Sequence, residues 1–125
     1  MTRAENAVAN HKNFYPCSAA VMCAFADIAG ISEENARKAA MPFAGGKMGK
    51  CGAVLAAEYI IERAFPGRAD ELKERLENEF LQMNSSVQCA ELKGRMTGKP
   101  LRSCRGCVTD AAELLERMLE GERTI

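Results

Sequence analysis

The sequence predicts an all-α fold, a compact bundle of about five helices in a single domain. Three observations carry that expectation. Apolar side chains recur every three or four residues in successive stretches. Prolines and glycines fall at the ends of those stretches. No convincing period-two segment, internal repeat or low-complexity tract interrupts them, so β structure should be negligible. At 125 residues the chain has the length of one domain with one core. Residues 14–120 read as the helical domain, residues 1–13 as an N-terminal extension with helix-compatible composition, and residues 121–125 as a C-terminal tail.

Residues 16–29 form the first predicted helix, with Pro16 suited to the first helical position and Gly30 to the C-terminal cap. Ser32 reads as the N-cap of a second helix from 33 to about 41, with Glu33 and Glu34 in its first turn and Pro42 stopping it. Residues 44–52 hold four glycines and read as a loop. The third helix, 51 to about 65, is apolar nearly all round, the pattern of a bundle's buried centre, and its small residues would also suit a second subunit, so a homodimer is an expectation. Pro66-Gly67 ends it. Leu72, Leu76, Phe80 and Met83 at helical spacing make residues 69–84 an amphipathic surface helix. Residues 87–92 suit one or two further turns, and residues 93–107 read as loop. The last helix runs from about 108 to 120, with Val108, Ala111, Ala112, Leu115, Met118 and Leu119 on one face.

Composition narrows the function. Apolar residues make up 47% and charged residues 27%, the balance of a soluble globular protein rather than a disordered or collagenous chain. Seventeen basic and seventeen acidic residues cancel, which gives no general attraction to nucleic acid or anionic lipid. No apolar run reaches the ~18–20 residues of a membrane span, and the first residues lack the apolar core of an export signal. The expected location is the cytoplasm. There, six cysteines point to metal binding or redox chemistry rather than a disulfide framework.

Their positions sharpen this. Cys17 follows Pro16 in the first turn of the first helix, Cys51 opens the third, and Cys104 and Cys107 immediately precede the last. Helix N-termini favour thiolate through free N–H groups and the positive end of the helix dipole. Lys47 and Lys50 flank Cys51, and Lys93, Arg95, Lys99, Arg102 and Arg105 make residues 93–105 wholly basic. Cys23, among apolar neighbours in mid-helix, reads as structural. His11, the one imidazole, reads as a surface residue, and Glu58, alone in the apolar third helix, as solvent-facing. The glycine loop misses a phosphate-binding P-loop, with Ala44 and Cys51 where glycine and a hydroxyl are required. Cys104-Arg105-Gly106-Cys107 lacks both the βαβ context of a thioredoxin motif and the second CxxC of a zinc ribbon.

Taken together, these pieces resemble the redox family named for the four-cysteine pattern C-GCAxxG-C-C. The resemblance rests on Cys17-Ser18-Ala19-Ala20-Val21, on the glycine loop Ala44-Gly45-Gly46-Lys47-Met48-Gly49, and on Cys51-Gly52-Ala53-Val54-Leu55-Ala56. It continues through Cys89-Ala90-Glu91-Leu92-Lys93-Gly94 to Cys104, and spans about residues 14–119. It implies that Cys17, Cys51, Cys89 and Cys104 are the family's cysteines, with Cys107 as a substitute for Cys104. Ala56 departs from the last glycine of the motif, and the interval from Cys89 to Cys104 is short for the family.

Three functions follow. In the first, the four cysteines converge and cycle between dithiol and disulfide as a thiol-based oxidoreductase serving a redox partner protein, with Cys51 as the reactive thiolate because Gly49 and Gly52 leave it uncrowded, and Cys17 or Cys104 as its disulfide partner. In the second, the same four ligate a [2Fe-2S] cluster for electron transfer or a structural zinc ion. In the third, the basic 93–105 segment docks an acidic partner and the cysteines are merely buried.

Overall fold

The computed structural model describes residues 1–123 of the chain. Caps set where its helices begin. Thr2 and Glu5 satisfy each other's backbone N–H groups in a reciprocal capping box, which starts α1 (Arg3–Lys12). Pro16 precedes α2 (Cys17–Ala24), and α3 (Ala26–Ala29) closes on Gly30, left-handed at φ 72°. Ser32 Oγ accepts the Asn35 N–H at 3.1 Å and starts α4 (Glu33–Ala40). A 3₁₀ segment (Met41–Gly46) follows, then α5 (Gly52–Ala64), α6 (Ala69–Asn84), α7 (Cys89–Leu92) and α8 (Cys104–Arg123).

The fold is all-α, with no strand among the described residues, but it has eight α-helices there rather than about five. Three short or alanine-rich pieces account for the difference. Residues 3–12 bury only Ala4 and Ala7, a face without large apolar side chains, yet α1 packs on both α2 and α8. The helix expected over 16–29 breaks at Phe25 (φ −120°, ψ 15°), whose ring is fully buried. Arg3 spans the break: Nη1 donates to the carbonyl of Ala24 at 2.9 Å, and the guanidinium clamps Asp27 with two bonds of 2.7 Å. The third piece is α7, a single turn.

Other boundaries differ too. The last helix begins four residues earlier than its apolar pattern, at Cys104. Ser103 Oγ accepts the Gly106 N–H at 3.0 Å, and this cap outweighs the low helix propensity of Gly106. The helix also continues through Arg123, where a tail from 121 was expected; Thr124 and Ile125 lie outside the described residues. In α6 the buried stripe is Leu72, Leu76, Phe80 and Asn84, an unbroken four-residue spacing that leaves Met83 half exposed.

The buried centre is shared. α5 is buried along most of its length as expected, but α2 is equally enclosed, by α1, α4, α5 and α8. Alanines dominate their contact faces (Ala19, Ala20, Ala53, Ala56 and Ala57), so the backbones lie close and the N-termini of α2 and α5 meet. No described helix is long and apolar enough to cross a membrane.

Candidate functional site

Two backbone devices bring distant cysteines together. An antiparallel bridge pairs Lys50 with Gln88: the Cys51 N–H donates to the Val87 carbonyl at 2.8 Å, and the Cys89 N–H to the Gly49 carbonyl at 2.9 Å. It ties the start of α5 to the start of α7. The basic loop then folds back, with the N–H groups of Leu101 and Arg102 both donating to the Leu92 carbonyl at 2.9 and 3.2 Å. That return delivers the start of α8 to the same place.

The result is one small cavity of about 10 Å³, lined by Cys17, Cys51, Cys89, Cys104 and Cys107 together with Leu92, Lys93 and Arg102. Four of the five cysteines stand at the first residue or the N-cap of a helix, each where the chain enters it. Two glycines make the approach close. A Cβ on Gly52 would stand 2.9 Å from Cys17 Sγ and 2.7 Å from the carbonyl oxygen of Phe43. A Cβ on Gly46, already left-handed at φ 74°, would stand 3.0 Å from Cys89 Sγ.

The sulfurs are electrostatically unequal. The neighbouring Cys107 thiol, against the cost of burial, lowers the Cys51 pKa to about 7, with help from the N–H groups of Ala53 and Val54 and from Lys93. Those two N–H groups face the sulfur without closing a cap hydrogen bond. Cys107 moves the opposite way: the neighbouring Cys51 pushes its pKa up, and burial adds to the shift. Burial also pushes Cys17 up, reinforced by the charges that Cys51 and Cys104 carry when ionised. The Lys93 ammonium faces Cys104 first, and Cys89 and Cys17 as well, which holds its pKa above the ordinary lysine value. Arg102 is anchored at the rim by two bonds to the buried Asp110, at 3.0 and 3.2 Å.

Cys17, Cys51, Cys89 and Cys104 are thus brought together, and Cys107 joins them as a fifth member rather than replacing Cys104. Cys51 is not the uncrowded thiol that its flanking glycines suggested: it is 4% exposed, because Gly52 admits Cys17 and the bridge covers it. Cys23 lies apart, its thiol directed at the Glu33 carbonyl 3.8 Å away, with burial raising its pKa to about 11. His11 is half-buried rather than at the surface. Its Nδ1 accepts from Arg105 Nε at 3.2 Å, and burial, then Arg105, lower its pKa.

Five thiolates would be a soft donor set suited to zinc or iron–sulfur. In this arrangement they do not fit such a centre. Among the described residues no three or more His, Cys, Asp or Glu side chains stand as a metal ion requires, and the enclosed space is about what one water needs.

A sequence profile described as putative redox-active protein (C_GCAxxG_C_C) matches residues 15–118. The chain belongs to this family. The match covers α2 through most of α8 and therefore all five clustered cysteines. Neither curated proteins nor solved structures give a significant match. Within the family pattern, the glycine after Cys51 has a physical role here, since it seats the first cysteine of the pattern against the second. In the four-cysteine reading Cys107 enters only as a substitute for Cys104, and Lys93 and Arg102 only as basic loop charges. The signal that could have placed Cys107 beside Cys104 rather than in its stead was Ser103, whose cap puts both cysteines of the CxxC into one helical turn.

Glu58 departs from expectation as well. It is half-buried between α5 and α6, with Oε2 buried and unpartnered, and shares a hydrogen bond with Glu77, which Lys50 holds at 2.7 Å. Burial, then Glu77, raises the Glu58 pKa to about 8, so the folded chain resists an ionisation that the unfolded chain completes near 4.5. Stability from this residue therefore falls as pH rises from about 4.5 to 8. Glu58→Gln keeps a donor toward Glu77 and removes the penalty. Thermal unfolding should show the variant more stable than wild type at pH 8, with the difference vanishing at acid pH; an equal gain at both ends would contradict the assignment.

Proposed function

We propose that this protein is a thiol–disulfide redox protein in which Cys51 and Cys107 form the working dithiol. The observation that carries the reading is the convergence of five cysteines on one small cavity, in which Cys51 and Cys107 are neighbours that shift each other's pKa in opposite directions. The Cys51 pKa of about 7 makes its thiolate abundant near neutral pH without costing it much nucleophilicity. Oxidation releases two electrons and closes the Cys51–Cys107 bond; a dithiol on a partner protein reopens it. Lys93 supplies positive charge to whichever neighbouring sulfur is ionised.

The membership in a redox family supports electron transfer in general, and the sulfur geometry favours the dithiol version over a cysteine-held metal centre. One sample separates the two. Protein purified anaerobically is scanned in the ultraviolet and visible, assayed for iron, zinc and acid-labile sulfide, and its thiols are counted across a range of redox potentials. The expected result is a colourless, metal-free protein that loses and regains two thiols at one midpoint, with peptide mapping assigning them to Cys51 and Cys107. Stoichiometric iron with sulfide, or zinc released only with denaturation, would overturn the reading.

A further inference from the structure

We propose that Cys104 is the thiol at which the cluster meets an external disulfide, and that oxidation then passes inward through Cys107 to Cys51. The inference rests on the dithiol reading above and adds a division of labour to it. Exposure and order along the helix carry it. Cys17, Cys51, Cys89 and Cys107 are each buried, at 9%, 4%, 5% and 3%, whereas Cys104 alone of the five is half-buried. A cavity of about 10 Å³ admits no disulfide-bearing molecule, so an external disulfide must be attacked at the sulfur that reaches the surface. Cys104 shares the cavity lining with Lys93, whose ammonium meets negative charge on the attacking sulfur.

The remaining sulfurs lie in sequence behind it. Cys104 and Cys107 occupy the first turn of α8 three residues apart, a spacing that puts side chains on one face with Cβ atoms ~5–6 Å apart. Cys107 in turn lines the same small cavity as Cys51. The Cys104 thiolate attacks one sulfur of R–S–S–R; the S–S bond breaks and R–S⁻ leaves with the electron pair, taking a proton from solvent. Cys107 passes its proton to the neighbouring Cys51 thiolate and attacks Cys104 Sγ, expelling the second R–S⁻, which is also protonated. Cys51 returns its proton to solvent and attacks Cys107 Sγ, and Cys104 is released as a thiolate that regains a proton. The sum is Cys51 thiolate, Cys107 thiol, R–S–S–R and one proton giving the Cys51–Cys107 disulfide and two R–SH. Two electrons move from the protein to the disulfide.

The test uses the aromatic disulfide dithiobis-nitrobenzoate, limited to one equivalent, on the reduced full-length protein. Wild type should release two equivalents of chromophore and retain none, and mapping should find Cys51 joined to Cys107. Cys107→Ser should release one equivalent and keep the other on Cys104. Cys51→Ser should release two and stop at a Cys104–Cys107 disulfide. Cys104→Ser should slow the first release at least tenfold. The relay is overturned if the trapped adduct sits on Cys17, Cys51 or Cys89, or if Cys104→Ser reacts at the wild-type rate. Should Cys107→Ser fail to fold, rapid acid quenching of wild type locates the first adduct and decides the same point. If wild type forms no internal disulfide under any potential, the dithiol reading itself fails; if it forms one but the first adduct is elsewhere, only the relay does.

Discussion

Gly52→Ala is expected to destabilise the protein, although it replaces a helical glycine by the best helix former. Alanine in place of glycine within a helix is worth ~1 kcal/mol in its favour. Against this, the new methyl would stand 2.7 Å from the Phe43 carbonyl oxygen, 2.9 Å from Cys17 Sγ and 3.3 Å from Ser18 Cβ. The first of these is backbone, and the sulfur is buried in the cluster with little room to retreat. Overpacking of this kind costs ~1–3 kcal/mol, and the obstruction by backbone places this site at the upper end. The net loss is about 2 kcal/mol, a fall in melting temperature of roughly 6–12 °C for a chain of this size. Gly121→Ala is the control: it lies in α8, where a Cβ would meet no described residue within 4 Å, so the same substitution should raise the melting temperature. Equal shifts at the two positions would show that the close approach of Cys17 to α5 is not what fixes glycine at 52.

The same contrast explains what the sequence could convey about this site. Helix N-termini are written in local chemistry, so Cys17 after Pro16 and Cys51 ahead of Gly52-Ala53 were legible as helix-start cysteines. Their convergence was an expectation of the redox reading without a local signature of its own, because it depends on the Lys50–Gln88 bridge and on the return of the 93–103 loop to the Leu92 carbonyl, two backbone pairings that no side chain announces. That Cys107 joins Cys104 instead of substituting for it was obscured for a different reason. Gly106 reads locally as loop, but a side chain there would stand 2.4 Å from Arg102 Nε, so its glycine instead lets Arg102 cross the first turn of α8 to Asp110. Glu58 shows the limit of periodicity: its position in α5 gives its face, but only the packing of α6 determines that the face is half-buried beside Glu77. The all-α class, by contrast, needed no long-range information, since spacing and punctuation alone exclude strands.

Removing the Cys107 thiol should abolish the acidity of Cys51. The neighbouring Cys107 thiol is the largest influence holding the Cys51 pKa near 7, and burial opposes it. In Cys107→Ala only the N–H groups of Ala53 and Val54 and the charge of Lys93 remain to favour thiolate, so the pKa should return to the ordinary value of 9.0 or above. At pH 7 the thiolate fraction would fall from roughly half to about one per cent, some fiftyfold. Thiolate ultraviolet absorbance, followed by pH titration, reads this directly and does not depend on reagent access to a buried sulfur. Cys107→Ser retains a hydroxyl donor and should keep part of the depression, whereas a merely structural role for Cys107 would leave the titration midpoint unmoved in both variants. The sign carries over to stability. A folded pKa of about 7 against 9.0 in the unfolded chain means that Cys51 stabilises the fold fully above pH 9 and loses that contribution as pH falls through 7. Cys107, whose pKa is raised, opposes it only above pH 9, where the unfolded chain ionises both thiols. The pair therefore contributes most near pH 9, and in Cys107→Ala the rise between pH 7 and 9 should disappear from the unfolding free energy measured under reducing conditions.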